Sequence, residues 1–208
     1  MIIAIDGPAA AGKGTLAKRI AAALHLPYLD TGILYRATAK RVLEAGGDPA
    51  DVTQALQAAQ NLGATDLARQ DLRDAATSKA ASQVASIAAV RQALLDFQRH
   101  FGSKNGAVLD GRDIGTIIFP QADIKLFVTA SVEARAQRRY QEFLARGEAV
   151  ALDDVIADVQ ARDEADRTRA AAPLMMAVDA ALIDTTEMDA DAAFARALEL
   201  IREKTPHR

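Results

Sequence analysis

The 208-residue sequence contains no cysteine and no tryptophan, and aromatic residues make up only 4% of it. Without cysteine there is neither a disulfide nor a thiolate metal site, which fits a reducing compartment. No apolar run approaches the length of a membrane span, and the N-terminus lacks the basic region and long apolar stretch of a signal peptide. The histidines, His25, His100 and His207, are too scattered to suggest metal ligands. We therefore expect a cytoplasmic protein with no membrane partner.

The net charge is also small, −3 at pH 7, which argues against a general nucleic-acid binder. Half of the residues are hydrophobic, and because many of these are alanine, the composition favours packed helices over an all-β fold. The length suits one compact domain that can bury a sizeable core.

The first seventeen residues, MIIAIDGPAAAGKGTLA, carry the clearest local signal. Residues 2–5 form a short apolar run typical of a buried strand, and helical periodicity begins soon after the glycines that follow. A glycine-rich turn between a strand and a helix directs backbone N–H groups and the positive end of the helix dipole at an anion. Candidates for binding a nucleotide's phosphates are the residues of this turn, called the phosphate loop below: Gly7, Pro8, Ala9, Ala10, Ala11, Gly12, Lys13, Gly14 and Thr15.

Within the phosphate loop, we expect Lys13 to be exposed and to reach the β- and γ-phosphates, while a hydroxyl group binds Mg²⁺. The loop departs from the usual G-x-x-x-x-G-K-[ST] motif, because Gly14 takes the place of the hydroxyl residue and Thr15 follows it. This variant is more similar to nucleoside monophosphate kinases than to GTPases. The alternative is an ordinary turn with a surface lysine, which the flanking strand and helix disfavour.

Further short apolar runs predict strands at residues 28–29, 107–110, 124–128 and 181–184, with helical segments between them. This order favours an α/β fold with a central, mostly parallel five-stranded sheet flanked by helices.

Asp110 ends one of these strands, where a carboxylate can hold the waters of Mg²⁺ beside a phosphate loop; an ordinary Asp-Gly turn is the alternative. Tyr35 and Arg36 follow another strand end, where ligands bind in such sheets. Taken alone, however, these two residues are better explained as one core aromatic and one surface arginine.

Residues 49–102 are expected to be almost entirely helical. The amphipathic segment 82–102 predicts a helix that ends at Gly102, followed by a turn. Ser82 and Arg91 lie on this helix and by themselves look like surface residues.

Another helix is expected from residue 152 to the alanines before residue 173. The spacing of Arg162, Asp166 and Arg169 places these three side chains on one face of it. Charges on a helix usually form a solvated face with local ion pairs, so this pattern alone leaves a surface role open.

Together these segments resemble the bacterial cytidylate kinases, which are P-loop nucleoside monophosphate kinases. The motifs that carry the resemblance are GPAAAGKGT at 7–15, LDTGILYR at 29–36, ASQVAS at 81–86 with Arg91, DGRDIGT at 110–116 and RDEADRTRAAAPL at 162–174. The phosphate loop alone is not specific, but the last two motifs in this order are, and the resemblance covers nearly the whole chain.

The resemblance implies transfer of the γ-phosphoryl group of ATP to CMP and dCMP, with Mg²⁺ as cofactor, by a monomer. It also implies a single P-loop kinase domain over 1–208 with helical insertions: a core of 1–31, 107–144 and 173–208, a monophosphate-binding region of 32–106 and a lid region of 145–172. Family members often carry a β-structured insert in the monophosphate-binding region, whereas residues 49–80 of this chain are predicted to be helical.

Residue roles follow from the resemblance position by position. The side chains expected to act in catalysis are Lys13, Arg112, Arg162 and Arg169. The residues expected to bind ATP are those of the phosphate loop, and those expected at the metal are Thr15 and, through water, Asp110. The acceptor's phosphate would be bound by Arg36, Arg112 and Arg169, its cytosine by Ser82, Arg91 and Asp113, its sugar by Arg162 and Asp166, and the rest of its pocket would be lined by Thr31 and Tyr35.

Two other functions remain open on the sequence alone. One is a kinase of the same layout that acts on another small acceptor, such as UMP, AMP or shikimate. The other is a nucleotide-dependent switch without phosphoryl transfer. The sequence contains no Asn-Lys-x-Asp guanine motif, and its arginine clusters favour a second phosphorylated ligand over the switch.

Overall fold

The structure, a computed structural model, describes residues 1–205, and His207 lies outside this range. The described chain contains the strands Ile2–Asp6 (β1), Tyr28–Asp30 (β2), Ala107–Gly111 (β3), Ile124–Thr129 (β4) and Ala181–Asp184 (β5). Its helices are Lys13–Ala23 (α1), Gly32–Glu44 (α2), Val52–Gln60 (α3), Ala64–Leu67 (α4), Ala75–Ser86 (α5), Ala88–Asn105 (α6), Val132–Ala145 (α7), Leu152–Thr168 (α8) and Ala190–Lys204 (α9), and a short π-helical turn spans Ile114–Ile118.

The five strands form one sheet in the order β2-β3-β1-β4-β5, and every neighbouring pair is parallel. The α/β fold with a five-stranded sheet is therefore confirmed, and the sheet is wholly parallel among the residues described. In β1 the side chains of Ile3 and Ile5 on one face and of Ala4 on the other are fully buried, as expected for a central parallel strand covered on both faces. Ile5 pairs with Asp110, so the phosphate loop after β1 begins beside the end of β3.

Helices cover both faces of the sheet. On one face, Leu16 and Ile20 of α1 and Ile201 of α9 pack against β1 and β4. On the other face, Leu109 packs with the π-helical turn and with Phe119. This is the packing that the alternation of apolar strands and amphipathic helices predicts.

Residues 32–106 are helical from α2 to α6, in agreement with the prediction for residues 49–80. The apolar core of this segment is built mainly from alanine and small aliphatic side chains of α2, α3, α5 and α6. Small side chains allow these helices to pack closely, so the high alanine content here serves helix–helix contact.

The predicted single helix over 82–102 is wrong in two respects. The chain breaks at Ile87, whose extended backbone separates α5 from α6 and leaves the carbonyl of Ala85 free to accept a hydrogen bond from Arg91 at 3.2 Å. The second helix then continues through Gly102 to Asn105, so the predicted turn begins too early. Gly102 serves packing, since a Cβ there would lie 2.5 Å from the ring of Phe119.

The predicted helix before Pro173 is too long, because α8 ends at Thr168 and Arg169 already has an extended conformation (φ −57°, ψ 136°). The backbone N–H of Leu174 then donates to the carbonyl of Asp166 at 2.7 Å, which turns the chain back along the helix. Arg169 therefore lies just past the helical face that carries Asp166. None of the helices in residues 1–205 has the length and hydrophobicity needed to cross a membrane.

Candidate functional site

The phosphate loop adopts a backbone that few residues allow. Gly7 has a φ of 147°, and a Cβ at this position would lie 1.9 Å from the carbonyl oxygen of Val128. Ala10 has a positive φ of 58°, a left-handed conformation that costs free energy outside glycine. The loop thus combines a close backbone approach with local strain, as is common where a backbone wraps around a ligand.

Lys13 begins α1 and is buried, being only 5% exposed, so the expectation of an exposed lysine is wrong. Its Nζ donates to the carbonyl oxygen of Pro8 at 2.6 Å. Burial, together with the nearby guanidinium of Arg112, lowers the pKa of Lys13 to about 7. An anion beside Nζ would restore the charged form, because an opposite charge raises the pKa of an amine.

Side chains from outside the phosphate loop donate hydrogen bonds to two of its backbone carbonyl groups. Arg135 of α7 donates to the carbonyl of Ala9 at 3.3 Å, and the hydroxyl of Thr185, next to β5, donates to that of Ala11 at 3.1 Å. These bonds tie the loop to two other elements of the fold. Amide groups that remain free at a helix N-terminus are donors for an anion.

The end of β3 supplies oxygen atoms beside Lys13. Asp110 is 7% exposed, and its Oδ1 accepts a hydrogen bond from the hydroxyl of Tyr28 at 2.7 Å. Burial, followed by the repulsion of Asp30, raises the pKa of Asp110. The hydroxyl-bearing Thr15 is exposed on the other side of the same cleft. A carboxylate and a hydroxyl are hard oxygen donors of the kind that Mg²⁺ prefers, so this donor set fits the ion.

One cleft, with a volume of about 270 Å³, joins the phosphate loop to α2, α5 and the end of α8. Of the residues predicted at the site, all but Gly7 and Pro8 line it. Positions up to 160 residues apart in sequence are therefore brought together. The additional lining residues with charged or hydroxyl side chains, which the sequence reasoning missed, are Lys18, Asp30, Arg73, Ser78, Arg139 and Glu142.

Guanidinium groups dominate one wall of this cleft, and several of their donors have no acceptor. Within residues 1–205, Nε of Arg36, Nε of Arg162 and Nη2 of Arg169 are buried without a hydrogen-bond partner. The pKa of Arg162 is lowered to about 10 by burial and by the neighbouring charge of Arg112. Buried donors without partners are rare in native structures, so these N–H groups are available to an anion that enters the cleft.

Carboxylates hold the arginines in place. Asp166 accepts a hydrogen bond from Nε of Arg112 at 2.7 Å and lies 3.6 Å from Nη1 of Arg169. Burial acts to raise the pKa of Asp166, but the adjacent Arg112 and further arginines outweigh it and the pKa is lowered. Asp30 in turn accepts from Arg36 at 2.6 Å.

At the far end of the cleft, Arg91 of α6 forms a short salt bridge with Asp113, and its guanidinium lies 5.3 Å from the centre of the Tyr35 ring. Ser82 of α5 lines the same end. An arginine, a carboxylate and a hydroxyl offer both donors and acceptors beside an aromatic ring, which suits a polar, planar group.

Two buried acidic residues outside the predicted set shape the site. Asp6 accepts hydrogen bonds from the backbone N–H groups of Ile114 and Gly115, at 2.8 and 2.7 Å, and burial raises its pKa to about 6. Asp163 accepts two bonds from Arg135. Asp6 could have been identified as a site residue from the sequence, because it ends a strand directly before a glycine. The pairing of Asp163 with Arg135 could not be predicted from the sequence.

The sequence model of the family described as cytidylate kinase matches residues 3–203. The cytidylate kinase of Acidiphilium cryptum is 62% identical over 98% of this chain and 96% of its own length. That of Paramagnetospirillum magneticum is 57% identical over 98% of both chains.

Solved structures show the same fold at low identity. An uncharacterized protein from Eubacterium ventriosum superposes with a TM-score of 0.59 at 17% identity, covering 98% of each chain. A gluconokinase from Sinorhizobium meliloti superposes with a TM-score of 0.53 at 16% identity, over 99% of this chain and 94% of its own.

Proposed function

We propose a division of roles in the cleft from one premise: the chain belongs to the cytidylate kinase family, and it transfers the γ-phosphoryl group of ATP to CMP. The high identity to cytidylate kinases over nearly the full length disfavours both a different acceptor and a non-catalytic switch. Action on dCMP is part of the proposal.

The phosphate loop binds the triphosphate of ATP in this scheme. Its backbone amides surround the phosphates at the start of α1, and Lys13 contacts the β- and γ-phosphates. Thr15, directly, and Asp110, through water, hold Mg²⁺, which when bound neutralises charge on these phosphates. The lowered pKa of Lys13 supports the assignment, because the side chain is held where a polyphosphate would stabilise its charged form.

The single observation that carries the acceptor site is the set of unpartnered buried donors on Arg36, Arg162 and Arg169. Their N–H groups line the same cleft as the phosphate loop, so a phosphate bound there is adjacent to a nucleotide bound by the loop. We assign the acceptor's phosphate to Arg36, Arg112 and Arg169. Bidentate contacts of guanidinium to phosphate are strong and directional, which suits this task.

The nucleoside then extends towards the far end of the cleft. Ser82, Arg91 and Asp113 read the cytosine, and Tyr35 and Thr31 line its pocket. Arg162 and Asp166 contact the sugar.

The chemistry needs no general base, because the attacking oxygen belongs to a phosphate that is already ionised near neutral pH. Catalysis is then positioning plus neutralisation of charge by Lys13, Arg112, Arg162 and Arg169. Water must be kept from the γ-phosphate, and we propose that the lid region 145–172 closes over the cleft.

The division into a core of 1–31, 107–144 and 173–208, a monophosphate-binding region of 32–106 and the lid is part of this proposal. So are a monomeric state and a cytoplasmic location, both of which stay predictions.

The test is a coupled assay of ADP formation with CMP, dCMP, UMP, AMP and shikimate as acceptors. We expect CMP and dCMP to be used best. In Arg36→Ala, kcat/KM for CMP should fall on the order of 10²-fold, the effect of losing one preorganised charged donor. The matched control is Arg41→Ala, on the same helix but paired with Asp66 at the surface and 40% exposed, which should change kcat/KM less than about twofold. Equal effects of the two variants would contradict the phosphate assignment.

A further inference from the structure

A second cavity, of about 210 Å³, lies behind the far end of the cleft. Tyr35, Arg91 and Asp113 line both cavities and therefore form the partition between them. The other walls come from α6, from the π-helical turn and from the alanines that follow Arg169. The cavity thus touches the outer side of the residues assigned above to the base, and no role assigned so far uses it.

Gln98 of α6 borders this second cavity and is only 1% exposed. Its Nε2 donates to the carbonyl oxygen of Leu94 at 2.9 Å, and this bond fixes the orientation of the amide, because only the NH₂ group can donate. Oε1 is left buried without a hydrogen-bond partner in the described part of the chain. Since an unmatched buried carbonyl oxygen costs free energy, a donor in the cavity should satisfy it, and the two candidates are a water molecule and the hydroxyl of Tyr35, which lies beside the same amide.

Gln98 lies about two turns of α6 beyond Arg91, the residue assigned to the base. Gln98 and Arg91 are seven residues apart on one face of α6, which separates their Cα atoms by about 10 Å along the helix axis. The cavity between them has room for several water molecules, each of which takes about 30 Å³. Asp113 offers a second acceptor in the same cavity, because its Oδ1 has Arg169 only at 3.8 Å, beyond hydrogen-bonding distance.

We propose that Gln98 is a positioning residue for the choice of pyrimidine and acts through a water molecule in the second cavity. The water donates one hydrogen bond to Oε1 of Gln98 and the other to the carboxylate of Asp113. The bound water fixes the orientation of this carboxylate, whose oxygen atoms can only accept hydrogen bonds. The fixed carboxylate therefore favours a base with an amino group at this edge, as in cytosine, over one with a carbonyl group, as in uracil. This inference rests on the proposed reading of the base by Ser82, Arg91 and Asp113.

The test variant is Gln98→Met, which removes the acceptor while keeping the length of the side chain. Without this acceptor the water no longer holds the Asp113 carboxylate in one orientation, and the discrimination against uracil weakens. We expect the ratio of kcat/KM for CMP to that for UMP to fall roughly tenfold, the size of one net hydrogen bond, while KM for ATP is unchanged. The matched control is Gln60→Met, an exposed amide on α3 that lines neither cavity, which should keep the ratio within about twofold of the wild type.

Equal losses with CMP and UMP, or an unchanged ratio, would show that Gln98 only supports the packing of α6 and would overturn the proposal. A second measurement covers the case in which Gln98→Met does not fold. A crystal structure of the wild-type protein with CMP should contain a water within about 3.2 Å of both Oε1 of Gln98 and the carboxylate of Asp113. A dry cavity, or Oε1 bonded to the hydroxyl of Tyr35 instead, would overturn the proposal. Failure of the wild type to phosphorylate CMP would refute the proposed function itself.

Discussion

Replacing Asp163 with alanine is expected to lower the free energy of unfolding by about 3–5 kcal/mol. The carboxylate accepts two hydrogen bonds from Arg135, at 2.9 Å from Nη1 and 2.5 Å from Nη2, and both residues are buried. Without Asp163 the guanidinium remains inside the protein with only the neutral carbonyls of Ala130 and Ala9 as acceptors. An unpaired buried charge of this kind is among the most costly defects that one substitution can create.

For a chain of this length, 1 kcal/mol corresponds to a shift of roughly 2–4 °C in the unfolding midpoint, so the midpoint should fall by about 6–20 °C. Thermal and urea unfolding followed by circular dichroism measure the effect. The control is Asp158→Ala, which removes an exposed carboxylate from the same helix and should change stability by less than about 0.5 kcal/mol. A loss below about 1 kcal/mol in Asp163→Ala would refute the reasoning about the buried pair.

The same variant should also affect ATP binding, because Arg135 holds the carbonyl of Ala9 in the phosphate loop. We expect KM for ATP to rise in Asp163→Ala at a temperature where the protein is folded, and to stay constant in Asp158→Ala. An unchanged KM would mean that the loop keeps its geometry without this anchor.

The other predictions concern the cleft and β1. Lys13→Met should lower kcat on the order of 10²-fold or more in the coupled assay. Because Lys13 is buried, an unfolding curve of the variant is the control. Near-normal turnover would contradict the role proposed for Lys13. Arg169→Ala should lower kcat/KM for CMP and dCMP alike, whereas Asp166→Ala should raise KM and change the ratio of CMP to dCMP activity. Unchanged kinetics in both variants would contradict the roles proposed for these two residues. Because the pKa of Asp6 rises from 3.8 to about 6 on folding, the stability that Asp6 contributes is complete below about pH 4 and is lost, by up to ~3 kcal/mol, as the pH rises through about 6. Urea unfolding over this pH range should show the wild type losing free energy of unfolding relative to Asp6→Asn as the pH rises. If the free energies of the two proteins changed in parallel with pH, the burial argument would be contradicted.

The order of the elements and the phosphate loop can be read from the amino-acid sequence alone, because the signals involved are local. The apolar run of residues 2–5 and the helical periodicity after Lys13 lie within one short segment, and their periods distinguish strand from helix. The motifs carrying the family resemblance are likewise short and contiguous, so they are sufficient to indicate the class of reaction.

Helix boundaries were less predictable, because packing decided them. The amphipathic stripe over 82–102 continues across Ile87, where the structure breaks the helix and bonds Arg91 to the freed carbonyl of Ala85. Gly102 has the low helix propensity typical of a helix end, yet it lies inside α6. A larger side chain at this position would collide with Phe119, which explains why a glycine is found there.

The burial of Lys13, the pairing of Arg135 with Asp163 and the unmatched donors and acceptors around the cleft depend on tertiary contacts. Asp163 and Arg135 are 28 residues apart, and the local sequence around either residue does not predict that the two will pair. A charged residue in a sequence has a solvated surface as its most frequent environment, and its burial depends on which elements the fold brings over it. The chemistry of the site therefore followed from short motifs, whereas its electrostatics arose from contacts between distant parts of the chain.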